Sequence, residues 1–341
     1  MGDNTCIIML NNVDVIEDEI FQLSAELFNT LLKDNTKSKE GEQCNIFWAT
    51  SDYEHLGIGY DYNSPIYPEL ITKEHGKVIM PRVLKHKDTQ ITRSKDMAEV
   101  FTPPWICNAQ NNLIDNAWFD RESVFNRENE DHTWTVNADK IYFPPNKSWR
   151  KYVKDTRLEI TCGEAPYIVS RYDTTTGNAI PIQNRIGLLD RKLRIVSENT
   201  DTSKEWLKWA KEAYKSIYAY EWQGDNLLLA REAMLISFIE YYKQKFKKMP
   251  LIKSVRCIAD IISWNVWQMD GLRGVVPNSC GEKQSSQLSL FDLPKMQPCN
   301  GCKSNDIHNH NGIYCLIKDW NAIDAQTGKK GKIIRFIDLI K

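Results

Sequence analysis

From residue 154 onward, short apolar runs alternate with stretches patterned for helices, and this alternation restricts the fold more than any other feature of the chain. Residues 157–162 read as a strand that ends in Gly163, and residues 166–171 follow as a helical turn or more. Ser203 with Glu205 caps a helix whose Trp206, Leu207, Trp209, Ala210, Ala213 and Tyr214 share one face. Residues 216–222 read as a second strand. A long helix opens at Asp225 and runs to about Phe246, where Pro250 forbids its continuation. A helix over residues 254–262 then leads to a third strand at 265–269. Such alternation predicts an α/β fold, with a mostly parallel sheet and helices on its faces. Ligands of such sheets bind at the carboxyl ends of the strands.

The chain of 341 residues has room for more than this sheet. Residues 1–90 are expected to form a small N-terminal α+β accessory unit. It holds an amphipathic helix marked by Ile20, Leu23, Leu27, Leu31 and Leu32, a strand-like run at 45–49, and turns from Gly57 to Pro68. Lys and Arg number 44 against 45 Asp and Glu, so no global positive field announces a polyanion, and any DNA contact must use local basic surface. The densest early candidate is Arg82, Lys85, His86, Lys87, Arg93 and Lys95, which reads first as a solvated linker. A second lies at Lys329, Lys330, Lys332 and Arg335. No apolar run nears the roughly 18 residues of a membrane span, and the first residues lack a signal-peptide pattern, so a cytoplasmic protein is expected.

Three strand ends carry what a nucleoside-bearing cofactor requires. Cys162-Gly163-Glu164 lets backbone amides approach a ligand, Glu221 suits a ribose diol, and Asp270-Gly271-Leu272 suits an adenine amine. Near the C-terminus, Cys299 and Cys302 form a Cys-x2-Cys knuckle followed by His308, His310 and Cys315. Cys299, Cys302, Cys315 and one histidine, His310 being the choice, give four zinc ligands at tetrahedral spacing. A structural zinc would explain how the polar segment 279–312 folds. The remaining cysteines, Cys6, Cys44, Cys107, Cys162, Cys257 and Cys280, are scattered and read as reduced, mostly buried thiols.

These residues resemble the S-adenosylmethionine-dependent adenine-N6 DNA methyltransferases of restriction-modification systems. Residues 159–168, Glu-Ile-Thr-Cys-Gly-Glu-Ala-Pro-Tyr-Ile, are similar to that family's Asp-Pro-Ala-Cys-Gly-Ser-Gly-Ala-Phe-Leu motif. Phe101-Thr102-Pro103 resembles its Tyr/Phe-Thr-Pro motif, residues 217–221 with Asp225 its second strand and helix, and residues 264–272 its third strand. The likeness covers about residues 98–272, and the whole chain resembles proteins labelled restriction endonuclease subunit M. It implies a Rossmann-like methyltransferase sheet with helices on both faces over residues 91–341, the zinc knuckle being an insertion at 279–317. It also implies S-adenosylmethionine held by Phe101, Thr102, Pro103, Thr161, Cys162, Gly163, Glu221 and Asp270, with DNA as partner.

Two departures stand out. Ala165 replaces the second glycine of the first motif, so that turn must take a geometry alanine can adopt. The catalytic Asn/Asp-Pro-Pro-Tyr/Phe, which would hold the amine of a flipped adenine, is missing after Asp270. Residues 142–146 (Tyr-Phe-Pro-Pro-Asn) and 49–53 (Ala-Thr-Ser-Asp-Tyr) are the nearest substitutes, and both read better as loops. The sequence therefore admits an adenine-N6 methyltransferase, or a methyltransferase scaffold that binds DNA and needs a second subunit. The missing tetrapeptide favours the second.

Overall fold

A computed structural model describes residues 13–14, 17–96, 102–281, 283–284 and 296–340. Helices α1 (Glu17–Leu23) and α2 (Ala25–Leu32) come first, α2 opening where the Ser24 hydroxyl accepts the Leu27 N–H. Then follow α3 (Lys87–Asp96), α4 (Pro104–Phe119), the hairpin β1 (Asn126–Glu128) and β2 (Trp134–Val136), and α5 (Trp149–Lys154). The sheet region comprises β3 (Arg157–Glu159), α6 (Leu188–Asn199), α7 (Ser203–Lys215), β4 (Ile217–Glu221), α8 (Gly224–Phe246), α9 (Ile252–Asn265) and β5 (Val266–Gln268). After it come the short pair β6 (Lys283–Gln284) and β7 (Met296–Gln297), α10 (Asn300–Ser304), and the hairpin β8 (Leu316–Ile323) and β9 (Lys330–Arg335). The cap of α7 is Thr202, one residue before the expected Ser203, its hydroxyl accepting the Glu205 N–H. α8 stops at Lys247, which turns left-handed at φ 55°, three residues before Pro250.

The three expected strands form one parallel sheet in the order β3-β4-β5, with Leu158 paired to Tyr218 and Tyr220 to Trp267. Its two faces are covered differently. Ile217, Ala219 and Val266 enter the main core with α6 to α9, whereas Tyr220, Trp267 and Met269 join a smaller core with Phe47, Ile317 and Phe336. The second face is thus covered by the β8–β9 hairpin and the turn at Phe336, and not by helices as expected. β3 is an edge strand with no described strand beyond it, and Leu158 and Ile160 beside that edge are 45% and 63% exposed.

The connection after β3 meets the lower bound of the expectation. Residues 166–171 make a single turn, with Ile168 and Val169 N–H both bonded to the Ala165 carbonyl. The next helix, α6, starts only at Leu188. Gly187 precedes it because a Cβ there would lie 2.2 Å from the Ile168 carbonyl oxygen.

The N-terminal segment packs straight onto this framework. Leu27, Phe28, Leu31, Leu32 and Trp48 share the main core with α8 and α9. Residues 45–49 make only isolated bridges, Asn45 to Lys33 and Phe47 to Pro65, before Ala49 turns left-handed at φ 52°, and the main chain of Phe47 exchanges hydrogen bonds with the Gln268 side-chain amide at 3.1 and 2.8 Å. The basic stretch read as a linker is partly internal. Lys85 and Arg93 are buried and pair with Asp225 at the start of α8, at 3.2 and 3.0 Å, and Arg93 also reaches Asp52 at 2.6 Å. Burial alone would raise the Asp225 pKa, but the two cations and the Tyr53 hydroxyl at 2.8 Å hold it far below the usual carboxylate range. Within the 49–53 run, Asp52 and Tyr53 are thus tied into this buried ion cluster. Phe143 of the 142–146 run packs among Trp118, Phe119 and Tyr152.

Candidate ligand site at the strand ends and metal centre

The strand ends bring the predicted ligand residues into one neighbourhood. Phe101 lies outside the described residues. Thr102 and Pro103 lead into α4, and the Thr102 carbonyl accepts the Thr174 hydroxyl at 3.1 Å. Glu159 stands at the end of β3, where, against the push of burial, the main chain at Tyr167 lowers the pKa of its carboxyl. Glu159 Oε2 is sealed from solvent without a hydrogen-bond partner among the described residues. Burial, reinforced by the charge of Glu221, pushes the Glu159 pKa well above the usual range.

The turn after β3 is tightly wound, with Thr161, Gly163 and Ala165 at φ 47°, 52° and 61°. Ala165 thus adopts the left-handed conformation that its glycine counterpart would enter freely, at a cost of about 1–2 kcal/mol for an L-residue. Cys162 is buried beneath the turn, held by its N–H to the Tyr220 carbonyl.

Glu221, at the end of β4, is 8% exposed and faces this turn. Its Oε2 accepts the Gly163 N–H at 2.7 Å, and its Oε1 accepts the N–H groups of Trp222 and Gln223 at 2.9 and 3.3 Å. Burial raises its pKa, and these three amides moderate the rise. Three of a carboxylate's roughly four acceptor positions are therefore taken, and one remains. Beyond β5, Asp270 accepts the Leu272 N–H at 3.0 Å and pairs with the Arg273 guanidinium at 2.8 Å. Gly271 is required next to it, since a Cβ would meet the Tyr220 ring at 2.6 Å. Acceptors and a left-handed turn thus stand at the ends of three adjacent parallel strands, an arrangement suited to a polar ligand with several hydroxyl or amine donors. A cleft of about 520 Å³ lies elsewhere, lined by Lys154, Leu158 and Tyr218 nearer the start of β4, and contains none of these acceptors.

The metal centre differs from the expected set in one ligand. Cys280, Cys299, Cys302 and His310 bring their donor atoms within 4.8 Å of one another. The Cys280 sulfur stands 3.2 Å from Cys299, 3.5 Å from Cys302 and 3.4 Å from His310 Nδ1, while Cys299 and Cys302 stand 3.5 and 3.6 Å from the same nitrogen. Zn–S bonds of about 2.3 Å and Zn–N bonds of about 2.0 Å give tetrahedral edges of roughly 3.5–3.8 Å, close to this spacing. Cys315 is the correction: it is fully buried in the smaller core and donates its thiol to the Gln268 carbonyl at 3.3 Å. His308 is exposed and outside the cluster.

Local backbone explains why the knuckle closes. Gly301 donates its N–H to the Asn309 carbonyl at 2.8 Å, and a Cβ there would lie 2.7 Å from Asn309 C and His310 N. Against the upward push of desolvation, the Cys302 and Asn311 amides, Cys280 and His310 lower the Cys299 thiol to about 6, so it is readily offered as a thiolate. Sequence reasoning placed Cys280 among the scattered thiols. The usable signal was a fourth cysteine 19 residues before the knuckle and followed by Gly281, in a segment too polar to need a core cysteine. Among the described residues, no helix is long and apolar enough to cross a membrane. No known family, curated protein or solved structure matches the chain.

Proposed function

We propose that this chain is an S-adenosylmethionine-binding, DNA adenine-N6 methyltransferase-like protein of a restriction-modification or phage system, with a structural zinc in its knuckle. The observation that carries this reading is that Glu159, Gly163, Glu221 and Asp270 stand at or just beyond the ends of three adjacent parallel strands in chain order, with the Gly163 amide bonded to Glu221. The residues suit such a cofactor: Glu221 keeps one acceptor position for a ribose hydroxyl, and Glu159 Oε2 is a sealed acceptor without a partner among the described residues. When bound, the cofactor supplies an electrophilic methyl group. The chain's part is to hold it and exclude water.

A second reading, a binding subunit that needs a catalytic partner, draws support from two features. Among the described residues no Pro-Pro-aromatic element stands at the strand ends, and the β3 edge has no neighbouring strand on its outer side. Positioning supplies much of the rate in a methyl displacement. The isolated chain should therefore bind cofactor and turn over slowly or not at all. DNA contact falls to the exposed Lys329, Lys330 and Lys332 of the β8–β9 hairpin, because Lys85 and Arg93 are consumed by Asp225.

Calorimetric titration of the zinc-loaded chain with S-adenosylmethionine tests the core of the proposal. No heat at millimolar cofactor would sink it. Incubation with labelled cofactor and mixed-sequence DNA then separates the two readings: robust incorporation at adenine supports the enzyme, and salt-sensitive DNA binding without incorporation supports the subunit.

A further inference from the structure

The second face of the sheet is only partly covered. The β8–β9 hairpin and the turn at Phe336 bury Tyr220 and Trp267, but Leu158 on the edge strand joins neither core and stays 45% exposed. A cleft of about 520 Å³ remains there, bounded by the end of α7, β3, the start of β4 and the hairpin. That volume falls within the roughly 300–1,000 Å³ of small-molecule sites.

The walls are flat and fixed. Tyr218, Trp267, Trp320 and Phe336 line the cleft. The Tyr218 hydroxyl donates to the Lys318 carbonyl at 2.9 Å, and Trp320 Nε1 donates to Asn265 Oδ1 at 2.7 Å. Both rings are therefore oriented before any ligand arrives. Lys215 Nζ stands 5.5 Å from the Trp320 ring, which puts charge beside the aromatic wall.

The charges do not cancel. Lys154, Lys215 and Lys330 line the cleft against Glu212 and Asp319. Glu212 is shared by Lys154 at 3.4 Å and Lys215 at 3.2 Å. Asp319 Oδ1 turns to the N–H groups of Asn321 and Ala322 at 2.9 and 3.1 Å, and Lys330 has no ion pair among the described residues. The edge strand adds a directional pair. Arg157 N–H bonds the Ser216 carbonyl at 2.9 Å, so alternation along β3 turns the Leu158 N–H and C=O away from β4, where no described strand meets them. Aromatic walls, an unmatched ammonium and a main-chain donor beside an acceptor meet the needs of a flat base that carries a phosphate.

We propose that this cleft binds a nucleotide, with its base between the aromatic walls and the Leu158 edge and its phosphate at Lys330. The site is separate from the strand-end acceptors and does not depend on them. Its ligand is either a free mononucleotide or the terminal nucleotide of a DNA strand, and the test tells the two apart.

Calorimetric titration of the full chain with adenosine monophosphate and with uridine monophosphate should show saturable binding in the millimolar range or tighter. Adenosine alone should bind about tenfold or more weakly, the scale of a lost charged hydrogen bond. Lys330→Ala, at an exposed position, should lower mononucleotide affinity by a similar factor. Leu158→Trp fills the cleft from the sheet edge and should abolish binding with the melting temperature unchanged. If a short single-stranded oligonucleotide carrying a terminal phosphate displaces the mononucleotide, the ligand is a strand end; if it does not, the ligand is the free nucleotide. The proposal is overturned if neither mononucleotide gives heat at millimolar concentration, or if either variant binds as wild type does. S-adenosylmethionine carries no phosphate, so its failure to bind would sink the strand-end reading and leave this one standing.

Discussion

Replacing Cys280 and Cys315 in turn separates a metal ligand from a core residue of the same chemistry. Structural zinc sites contribute about 10–16 kcal/mol in small zinc modules, or roughly 2.5–4 kcal/mol for each of four ligands. Cys280→Ser should therefore weaken zinc binding by about 100-fold or more, at about 1.4 kcal/mol per decade. Cys315→Ala removes the thiol donated to the Gln268 carbonyl and leaves a small void in the core with Trp267 and Phe336. It should cost about 1–2 kcal/mol of stability and leave zinc content at one equivalent. Competition against a chromophoric chelator reads the affinity, elemental analysis reads the stoichiometry, and thermal melting with and without chelator reads the stability. Wild type should melt lower with chelator, and Cys315→Ala should show the same drop from a lower start. The reasoning fails if Cys315→Ala strips the metal, or if Cys280→Ser retains it with wild-type affinity.

Gly301→Ala forces a Cβ to within 2.7 Å of the backbone at Asn309 and His310. The strain, about 1–3 kcal/mol, should lower zinc affinity about tenfold or more in the same chelator assay. Glu232 is fully buried in α8, neither carboxylate oxygen has a partner among the described residues, and burial, then Glu17 and Asp14, push its pKa well above normal. With the folded pKa above the unfolded value of about 4.3, the stability it contributes is complete below that pH and is lost as pH rises, because the unfolded chain ionises while the folded one resists. Glu232→Gln should thus gain stability over wild type from about pH 5 to 7, and a pH-independent gap between their denaturation midpoints would contradict this. Tyr53→Phe removes the 2.8 Å donor to Asp225 and should cost about 1 kcal/mol, since Lys85 and Arg93 remain. An unchanged denaturation midpoint would show that the hydroxyl is not bonded there.

Much of the architecture follows from short-range chemistry. The apolar spacing in α7, the start of α8 near Asp225 and its stop before Pro250, and the three runs now in β3, β4 and β5 could be read directly, because helix hydrogen bonds and strand alternation involve residues only a few positions apart. The Cys-x2-Cys knuckle was equally local. What covers the second sheet face was not, since a hairpin and a helix bury apolar residues equally well. Nor could the sequence reveal that Glu221 spends an acceptor on the Gly163 amide, 58 residues away, or that Lys85 and Arg93 turn inward to Asp225. Side-chain chemistry states which bonds a group can make, and packing decides which partner reaches it. Cys280 and Cys315 are the sharpest instance: both are cysteines close in sequence to the knuckle. The pairing of residues 274–276 with 313–315 points Cys315 toward the Gln268 carbonyl, in the core, and brings Cys280 round to the metal ligands.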